Sequence, residues 1–457
     1  MAGPPGIPRT SREVALEVLH RVDTHQAWST VLLRRMLDRA ALRPADAALA
    51  TELTYGTLRH RAELDWVLAR VTRTPLDELP SHIRAVLRMG AYQLMFLDRI
   101  PPRAACSESV DLAKRVGHPG TARLVNAVLR RIAAAPIAIP EDESTPDGIA
   151  LRRSHPLWLV RRWVDRFGVA GARALCAANN TTPPASVRLN TLRGSPAAVA
   201  NAIAALGVHT MRSALLPEGA RIIEASAEAR QAAYAAGWIS PQDEGSMLVS
   251  RLVAPLPGET VLDACAGSGG KSLHLGALMG NQGRILACDV VPAKLDAIVR
   301  QARRLGVAIV TPRLLDATRL AAALSSDADR VLVDAPCSGL GVIRRRPEIR
   351  WRLQPEQLPA LAARQREILD GAAAAVRPGG LLVFSVCTIE PDEGETVASG
   401  FLAAHPEFSP EPISGWPPGS GEGPAPSPVP GRPGTAYLYP HVHDTDGFFV
   451  AAFRRSR

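Results

Sequence analysis

Arg330-Val-Leu-Val-Asp334-Ala-Pro-Cys337-Ser-Gly339-Leu-Gly341 is the stretch from which the rest of the chain can be read. Val331-Leu332-Val333 is an apolar, β-branched run of the kind buried on both faces in a parallel sheet. Pro336 and Gly339 then end the strand, which sets an acid and a thiol at its carboxyl end, the edge where open α/β sheets bind ligands. Gly380-Leu-Leu-Val-Phe384 repeats the pattern, and Ser385-Val-Cys387-Thr388 closes it with a second thiol. Neighbouring strands lie about 5 Å apart, so if these two are neighbours both thiols can face one substrate. Two cysteines and an aspartate converging on one ligand predict nucleophilic catalysis.

Around this stretch, from Pro241 onward, the pattern is strand, glycine loop, helix, repeated. Strands are expected at Thr260–Leu262, Arg284–Cys288, Ile309–Leu314, Arg330–Val333, Leu381–Phe384 and Phe448–Phe453. Helices are expected at Gly270–Met279, Ala293–Leu305, Pro355–Val376 and Glu393–His405. Such alternation means a doubly wound, mostly parallel sheet. The Pro- and Gly-rich stretch Ser409–Gly434 reads as an exposed loop before a final antiparallel hairpin.

The first strand runs into Asp263-Ala-Cys265-Ala266-Gly267-Ser268-Gly269-Gly270-Lys271, where glycines let a backbone approach a ligand. Asp289 ends the second strand, placed to bind ribose hydroxyls, and Asp316 ends the third, placed to accept from an adenine amino group. Three cofactors compete for this loop. Gly270-Lys271-Ser272 resembles the end of a P-loop, but Cys265 stands where that motif needs glycine and leaves Asp289 without a use. A nicotinamide dinucleotide requires G-x-G-x-x-G, which the loop does not give cleanly. S-adenosyl-L-methionine fits best, with an acid at strand two and the reactive groups after strand four. Cytosine C5 is a poor nucleophile until a thiolate adds to C6, so paired thiols with an acid such as Asp334 on the N3/N4 edge suit pyrimidine C5 methylation.

The remaining chain is read as support for this chemistry. Residues 10–135 look all-helical: Thr10-Ser11-Arg12-Glu13 can cap a helix, and amphipathic segments follow at Asp46–Leu58, Leu64–Val71, Ile83–Phe96, Ser107–Val116 and Leu124–Ile132. Prolines 44, 75, 80, 101, 102 and 119 separate them. Pro136–Gly148 reads as a linker, and residues 151–240 as a small α+β connector whose strands lie near Ala185–Arg193, Val208–Met211 and Arg221–Ile223. The expected divisions are therefore 1–135, 136–150, 151–240 and 241–457. The net charge of +9 comes almost wholly from arginine, the side chain suited to bidentate phosphate contact; a GC-rich genome would give the same bias. Arg59-His60-Arg61 and Arg130-Arg131 are candidate RNA contacts on the helical part, and Arg344, Arg345, Arg346, Arg350 and Arg352 are candidate phosphate contacts after Cys337. Six scattered cysteines without a CxxC pair fit a reducing cytosol, and no metal site is expected. With no leader-like start and no apolar run long enough for a membrane span, the expectation is a cytoplasmic protein.

Several motifs together resemble one family, the RNA (cytosine-5) methyltransferases, and within it the bacterial 16S rRNA enzymes of the RsmB (Sun/Fmu) type. They are Asp334-Ala-Pro-Cys-Ser-Gly339, Gly341-Val-Ile-Arg-Arg-Arg-Pro-Glu-Ile-Arg-Trp351, Gln242-Asp-Glu-Gly-Ser246 and Asp446-Gly-Phe-Phe449 in the catalytic part. Ser154-His-Pro-Leu-Trp158 and Val187-Arg-Leu-Asn-Thr191 precede it, and Glu52-Leu-Thr-Tyr-Gly-Thr57 and Arg88-Met-Gly-Ala-Tyr-Gln93 resemble the family's NusB-like N-terminal domain. The resemblance implies a NusB-like helical bundle, a small α+β module and a Rossmann-like methyltransferase domain, acting as a monomer on 16S rRNA with S-adenosyl-L-methionine. It implies that Cys387 is the nucleophile and that Cys337 helps release the product. Lys271 and Asp334 are implied in the active site. Cys265 through Lys271, Asp289, Lys294, Asp316 and Asp334 are implied at the cofactor. Two departures stand out: Gly267-Ser268 replaces the family's usual Ala-Pro in the loop, and Val386 and Thr388 flank Cys387 in place of Thr and Ser. Two rival readings are a pyrimidine methyltransferase acting on tRNA, another RNA or DNA, with Cys337 as nucleophile in the DNA case, and a noncatalytic NusB-like RNA-binding or transcription factor.

Overall fold

The structure is a computed structural model that describes residues 8–320, 327–413 and 423–457. The N-terminal Met1-Ala-Gly-Pro-Pro stretch and residues 414–422 of the expected proline-rich loop lie outside the described residues. The chain folds into two compact units. One is Met1–Thr181 together with Ile343–Pro355; the other is Thr182–Val342 together with Glu356–Arg457.

The first unit is helical. Helix α1 (Ser11–His25) opens with the expected capping box, in which Thr10 and Glu13 satisfy each other's backbone N–H groups, an arrangement that stabilises a helix by about 1 kcal/mol. It is followed by α2 (Ser29–Ala40), α3 (Pro44–Arg59), α4 (Arg61–Val71), α5 (Ser81–Phe96), α6 (Pro102–Val116) and α7 (Pro119–Ala134). Pro44, Pro102 and Pro119 are the first residues of helices rather than breaks between them, because a first-turn residue needs no N–H partner. Val14, Leu53, Leu64, Ile83, Leu87 and Leu129 meet in one buried core.

Thr145 caps α8 (Pro146–Arg152), whose first residues fall in the stretch expected as a linker. Helix α9 (Leu157–Asn180) follows and clusters with the first unit.

Residues 343–355 join this unit from far along the chain. Helix α2 has no side-chain cap of its own. Glu348 supplies one, accepting Ser29 N at 3.0 Å and Ser29 Oγ at 2.8 Å. Arg350 is fully buried and donates to Ser154 O (2.9 Å), Asn180 Oδ1 (2.7 Å) and Asn179 O (3.3 Å). Trp351 Nε1 donates to Leu58 O at 3.3 Å, and Arg346 and Arg352 lie over the Trp28 ring. The expectation that these arginines face phosphate therefore fails for Arg350, whose guanidinium is fully buried and donates through both terminal nitrogens to protein oxygens. Of the two basic knots, Arg59 is buried and Arg61 pairs with Asp23 and Asp65, whereas Arg130 and Arg131 are exposed.

The second unit contains two sheets. The small one has strands β1 (Ser186–Leu189), β2 (His209–Arg212), β3 (Gly219–Glu224) and β4 (Ile239–Pro241), in antiparallel order β2-β3-β1-β4. The large one is built on β5 (Thr260–Asp263), β6 (Arg284–Asp289), β7 (Val310–Leu314), β8 (Ala328–Asp334) and β9 (Val376–Val386). These pair in parallel in the order β7-β6-β5-β8-β9. Helices Gly270–Leu278, Pro292–Leu305 and Leu358–Ala373 connect them as the alternation predicts. The expected closing hairpin is present as β12 (Thr435–Leu438) and β13 (Phe448–Arg455), with β13 antiparallel to β9. The stretch expected as a loop also carries two short strands, β10 (Phe408–Pro410) on β13 and β11 (Ser427–Pro428) on β12.

A buried polar group ties the small sheet to the large one. Glu218 accepts from Arg251 at 2.9 and 2.6 Å and from His274 Nε2 at 2.9 Å. His274 Nδ1 has no partner, which fits a neutral ring that donates through Nε2. Burial, with Arg188 next, holds this ring down at about 4. Burial opposes the ionised form of Glu218, but the bonds from His274 and Arg251 hold it well below the usual carboxylate range.

Two measurements test these packing arguments. Arg350→Met leaves two buried oxygens and a part-buried one without their donor and is expected to destabilise the first unit by about 3 kcal/mol or more, read as an earlier thermal transition by circular dichroism. Below pH 6.5 an unfolded chain binds a proton that folded His274 refuses, so this stabilisation is full above pH 6.5 and drains away as the pH falls towards 4. The loss is about 2 kcal/mol by pH 5, and Glu218 acts in the same direction at lower pH. Urea unfolding followed from pH 7 to pH 5 should show the loss in the wild type and a flatter profile in His274→Gln.

Candidate active site

The two strands that end in thiols are neighbours. β8 and β9 pair in parallel with Asp334 opposite Ser385, and the turns that leave them bring Cys337 Sγ to 3.3 Å from Cys387 Sγ. Asp334 is held from both sides: Lys271 Nζ donates to Oδ2 at 2.6 Å and Ser385 Oγ to Oδ1 at 2.7 Å. Burial pulls the Lys271 ammonium down, but Asp334, joined by Cys387 and Asp263, outweighs it and leaves the group above its ordinary range. The Cys337 thiol is pushed well up, first by its hydrogen bond to Cys387 and then by burial. The structure thus brings Lys271, Asp334, Cys337 and Cys387 into one cluster.

The predicted cofactor residues form a second group along the ends of β5, β6 and β7. Asp289 Oδ2 accepts Gly267 N at 3.0 Å and Lys294 Nζ at 3.2 Å, while Oδ1 accepts Val291 N at 2.9 Å. Ala266 N donates to Cys288 O at 2.8 Å, so the loop is pinned to the end of β6 by main chain as well. Gly267 has φ +56°, and neither Gly267 nor Gly270 has any atom within 4 Å of where a Cβ would project. The loop is therefore open at Gly267 and Gly270, while Gly269 packs against Ile298 and Leu273. Cys265 is half-buried, and burial followed by Asp263 and Asp334 pushes its thiol far up, which disfavours the thiolate a nucleophile needs. Asp316 caps a short turn through Thr318 and pairs with Arg364 at 3.1 Å, and the Thr318 N–H bond leads the causes that draw it down.

Several supporting residues were not singled out by sequence. Arg188, buried in the small sheet, donates to Gly270 O at 2.9 Å and Gln242 Oε1 at 2.6 Å, supporting the loop one residue before Lys271. Its motif, Val187-Arg-Leu-Asn-Thr191, was visible; its reach of 82 positions was not. Gly341 N donates to Cys387 O at 3.0 Å and Gly447 N to Gly341 O at 2.7 Å, so the two cysteine turns and the Asp446-Gly-Phe-Phe449 motif are tied by main chain. A Cβ on Gly341 would lie 2.0 Å from Gly447 O and 2.9 Å from Cys387 O, which is why glycine stands there. Gln365 and Glu393 lie behind Cys337. Among the described residues no helix is long and apolar enough to cross a membrane, and no group of three or more His, Cys, Asp or Glu could hold a metal ion.

Comparison with known proteins gives a consistent picture. Residues 250–454 match the family model for the 16S rRNA methyltransferase RsmB/F, residues 9–134 that of the NusB family, and residues 155–227 the ferredoxin-like domain of RsmF/B-like methyltransferases. The chain is 36% identical over 452 residues to a probable ribosomal RNA small subunit methyltransferase B of Bacillus subtilis (strain 168), covering 97% of this chain and 98% of that protein. It is 37% identical over 448 residues to the ribosomal RNA small subunit methyltransferase B of Thermus thermophilus, covering 98% of each. The crystal structure of PH0851 is similar in fold with a TM-score of 0.84 and 28% identity, covering 99% of this chain and 100% of that one.

The close approach at Gly341 yields a direct test. Gly341→Ala forces the two cysteine turns apart and is expected to cost about 1–3 kcal/mol in overpacking, measured as a lowered urea midpoint. An unchanged midpoint would show that the turns are not held by this contact.

Proposed function

The chain belongs to the RsmB/F family of 16S rRNA methyltransferases, and from that premise we propose that it methylates C5 of one cytosine in 16S rRNA through a covalent bond between Cys387 Sγ and C6. The observation that carries the proposal is the 3.3 Å approach of Cys337 to Cys387 beside the Asp334–Lys271 pair. The open face at Gly267 and Gly270 fits a nucleoside cofactor. Cys265 through Lys271, Asp289 with Lys294, Asp316 and Asp334 would hold S-adenosyl-L-methionine, which supplies the methyl group as a sulfonium.

Either sulfur can be the donor in the contact between the two thiols, so the division of roles rests on the motifs: by their resemblance to the family pattern, Ser385-Val-Cys387-Thr388 supplies the attacking sulfur and Asp334-Ala-Pro-Cys337 the group that assists release. Cys387 attacks as the thiolate, its proton released to solvent. Addition of the Cys387 thiolate to C6 gives C5 the electron density to accept a methyl group. Asp334 accepts from the N4 amino group, and Lys271 holds the carboxylate in that orientation. Cys337, its own proton released to solvent, takes the C5 proton as a thiolate, and C5–H cleavage restores the C5–C6 double bond as the C6–S bond breaks and Cys387 leaves as a thiolate. The proposal places the enzyme in the cytoplasm as a monomer on rRNA.

The test is methyl transfer from labelled S-adenosyl-L-methionine to protein-free 16S rRNA, with adducts resolved on a denaturing gel. Cys387→Ala is expected to lower methylation by about a thousandfold or more while cofactor binding persists. Cys337→Ala is expected to accumulate a covalent protein–RNA adduct. If an adduct forms with Cys387→Ala instead, the two roles are reversed; if tRNA or DNA alone is methylated, the chemistry stands and the rRNA assignment falls.

A further inference from the structure

Cys337 sits in a turn with a proline before it and a serine after it, and both flanking peptide groups are gripped from behind. Gln365 Nε2, on the helix Leu358–Ala373, donates to Pro336 O at 3.0 Å. Glu393 Oε1, just ahead of the helix Glu395–Ala404, accepts Ser338 N at 2.8 Å. The same Gln365 nitrogen donates to the same Glu393 oxygen at 2.9 Å, closing a loop of three hydrogen bonds around the cysteine. Both side chains are fully buried. The grip extends to the second thiol, because Ser338 Oγ donates to Thr388 Oγ1 at 3.0 Å, one residue past Cys387.

Such an arrangement is more than packing needs. An apolar pair would fill the same space without placing an amide and a carboxyl group where water cannot reach them. Glu393 Oε2 and Gln365 Oε1 are buried without partners, so the pair carries an unrelieved desolvation cost. Burial pushes the Glu393 carboxyl up against the bonds it accepts. What the pair does supply is direction: one donor and one acceptor, aimed at the two peptides that set where Cys337 Sγ points.

We propose that Gln365 and Glu393 are positioning residues for Cys337, holding its sulfur in register with C5 for release of the methylated cytosine. This rests on the division of labour between the two cysteines given above. Neither residue touches the reacting atoms; each acts through the Cys337 main chain. Their loss should therefore affect release and leave addition through Cys387 largely in place.

The experiment compares wild type, Gln365→Met, Cys337→Ala and the double variant in the full-length protein with 16S rRNA. It reads the single-turnover rate of methyl transfer, the steady-state rate and the fraction of protein trapped as RNA adduct. Gln365→Met is expected to keep single-turnover transfer within about threefold and to lower the steady-state rate about tenfold to a hundredfold, as for a catalytic group displaced by about 1 Å. Adduct should accumulate, and the double variant should trap no more than Cys337→Ala alone. A purely structural role would slow both rates together without trapping adduct, and that result overturns the proposal. If Cys337→Ala traps adduct and Gln365→Met does not, the clamp is wrong and the cysteine roles stand. If neither traps adduct, the cysteine roles fail and the clamp falls with them. Should Gln365→Met not fold, Glu393→Asp, which draws the carboxyl back from Ser338 N, is read in the same way.

Discussion

The parallel pairing of β8 with β9 is the constraint on which the active site depends. Its register sets Asp334 beside Ser385, and only two residues on one side, Ala335 and Pro336, and one on the other, Val386, then precede each thiol. A slip of one residue would reverse the faces of every side chain on β9, parting the cysteines and burying one of them. The register is held by apolar side chains on both faces, Val331, Leu332 and Val333 against Leu382, Val383 and Phe384, all fully buried. Beyond the strand ends the hydrogen bonds change from sheet ladder to cross-turn ties: Ala335 N to Ser385 O at 2.9 Å and Gly341 N to Cys387 O at 3.0 Å. The sheet thus brings the turns together, and main-chain bonds keep them so.

Around that pairing the site is assembled from parts of different sequence distance. Lys271 comes from the loop after β5 and Asp334 from the end of β8, which are adjacent strands. Arg188 comes from the small sheet and Gln365 from a helix that packs behind β8 and β9. The acids at the ends of β5, β6 and β7 are each engaged by nearby hydroxyls, main-chain N–H groups or cations: Asp263 by Ser272, Asp289 by Gly267 and Lys294, Asp316 by Thr318 and Arg364. Burial still pushes Asp263 up to about 6 against the Ser272 bond. Asp263 is internal and serves the loop.

Legibility from sequence followed the range of the interactions involved. The alternating strands and helices after Pro241 and the capped start of α1 were readable because apolar period and capping chemistry act over a few residues. The cysteines and acids were readable because each ends an apolar run. What could not be read was held at long range. Helix α2 carries Leu32, Leu33 and Met36 on one buried face, yet its start lacks a capping residue because the cap, Glu348, is 319 positions away. Arg350 looked like a phosphate contact because a surface cation and a buried one are the same letter; only its neighbours Ser154, Asn179 and Asn180 distinguish them. Gln365 and Glu393 lie on elements that were predicted, but no periodicity marks a polar side chain that turns inward.

The insertion of Ile343–Pro355 into the helical unit also sets an order of events during synthesis. The last residue of α9 emerges from the ribosome roughly 170 residues before Arg350 does, a delay of about ten to thirty seconds at bacterial elongation rates. Throughout that interval the bundle has its apolar core but neither the Glu348 cap on α2 nor the Arg350 donor for Ser154, Asn179 and Asn180. Those partners arrive only after Cys337 has been made. The nascent bundle is therefore a receptor awaiting its own downstream segment, and the N-terminal unit, although translated first, is not completed until most of the second unit has been made.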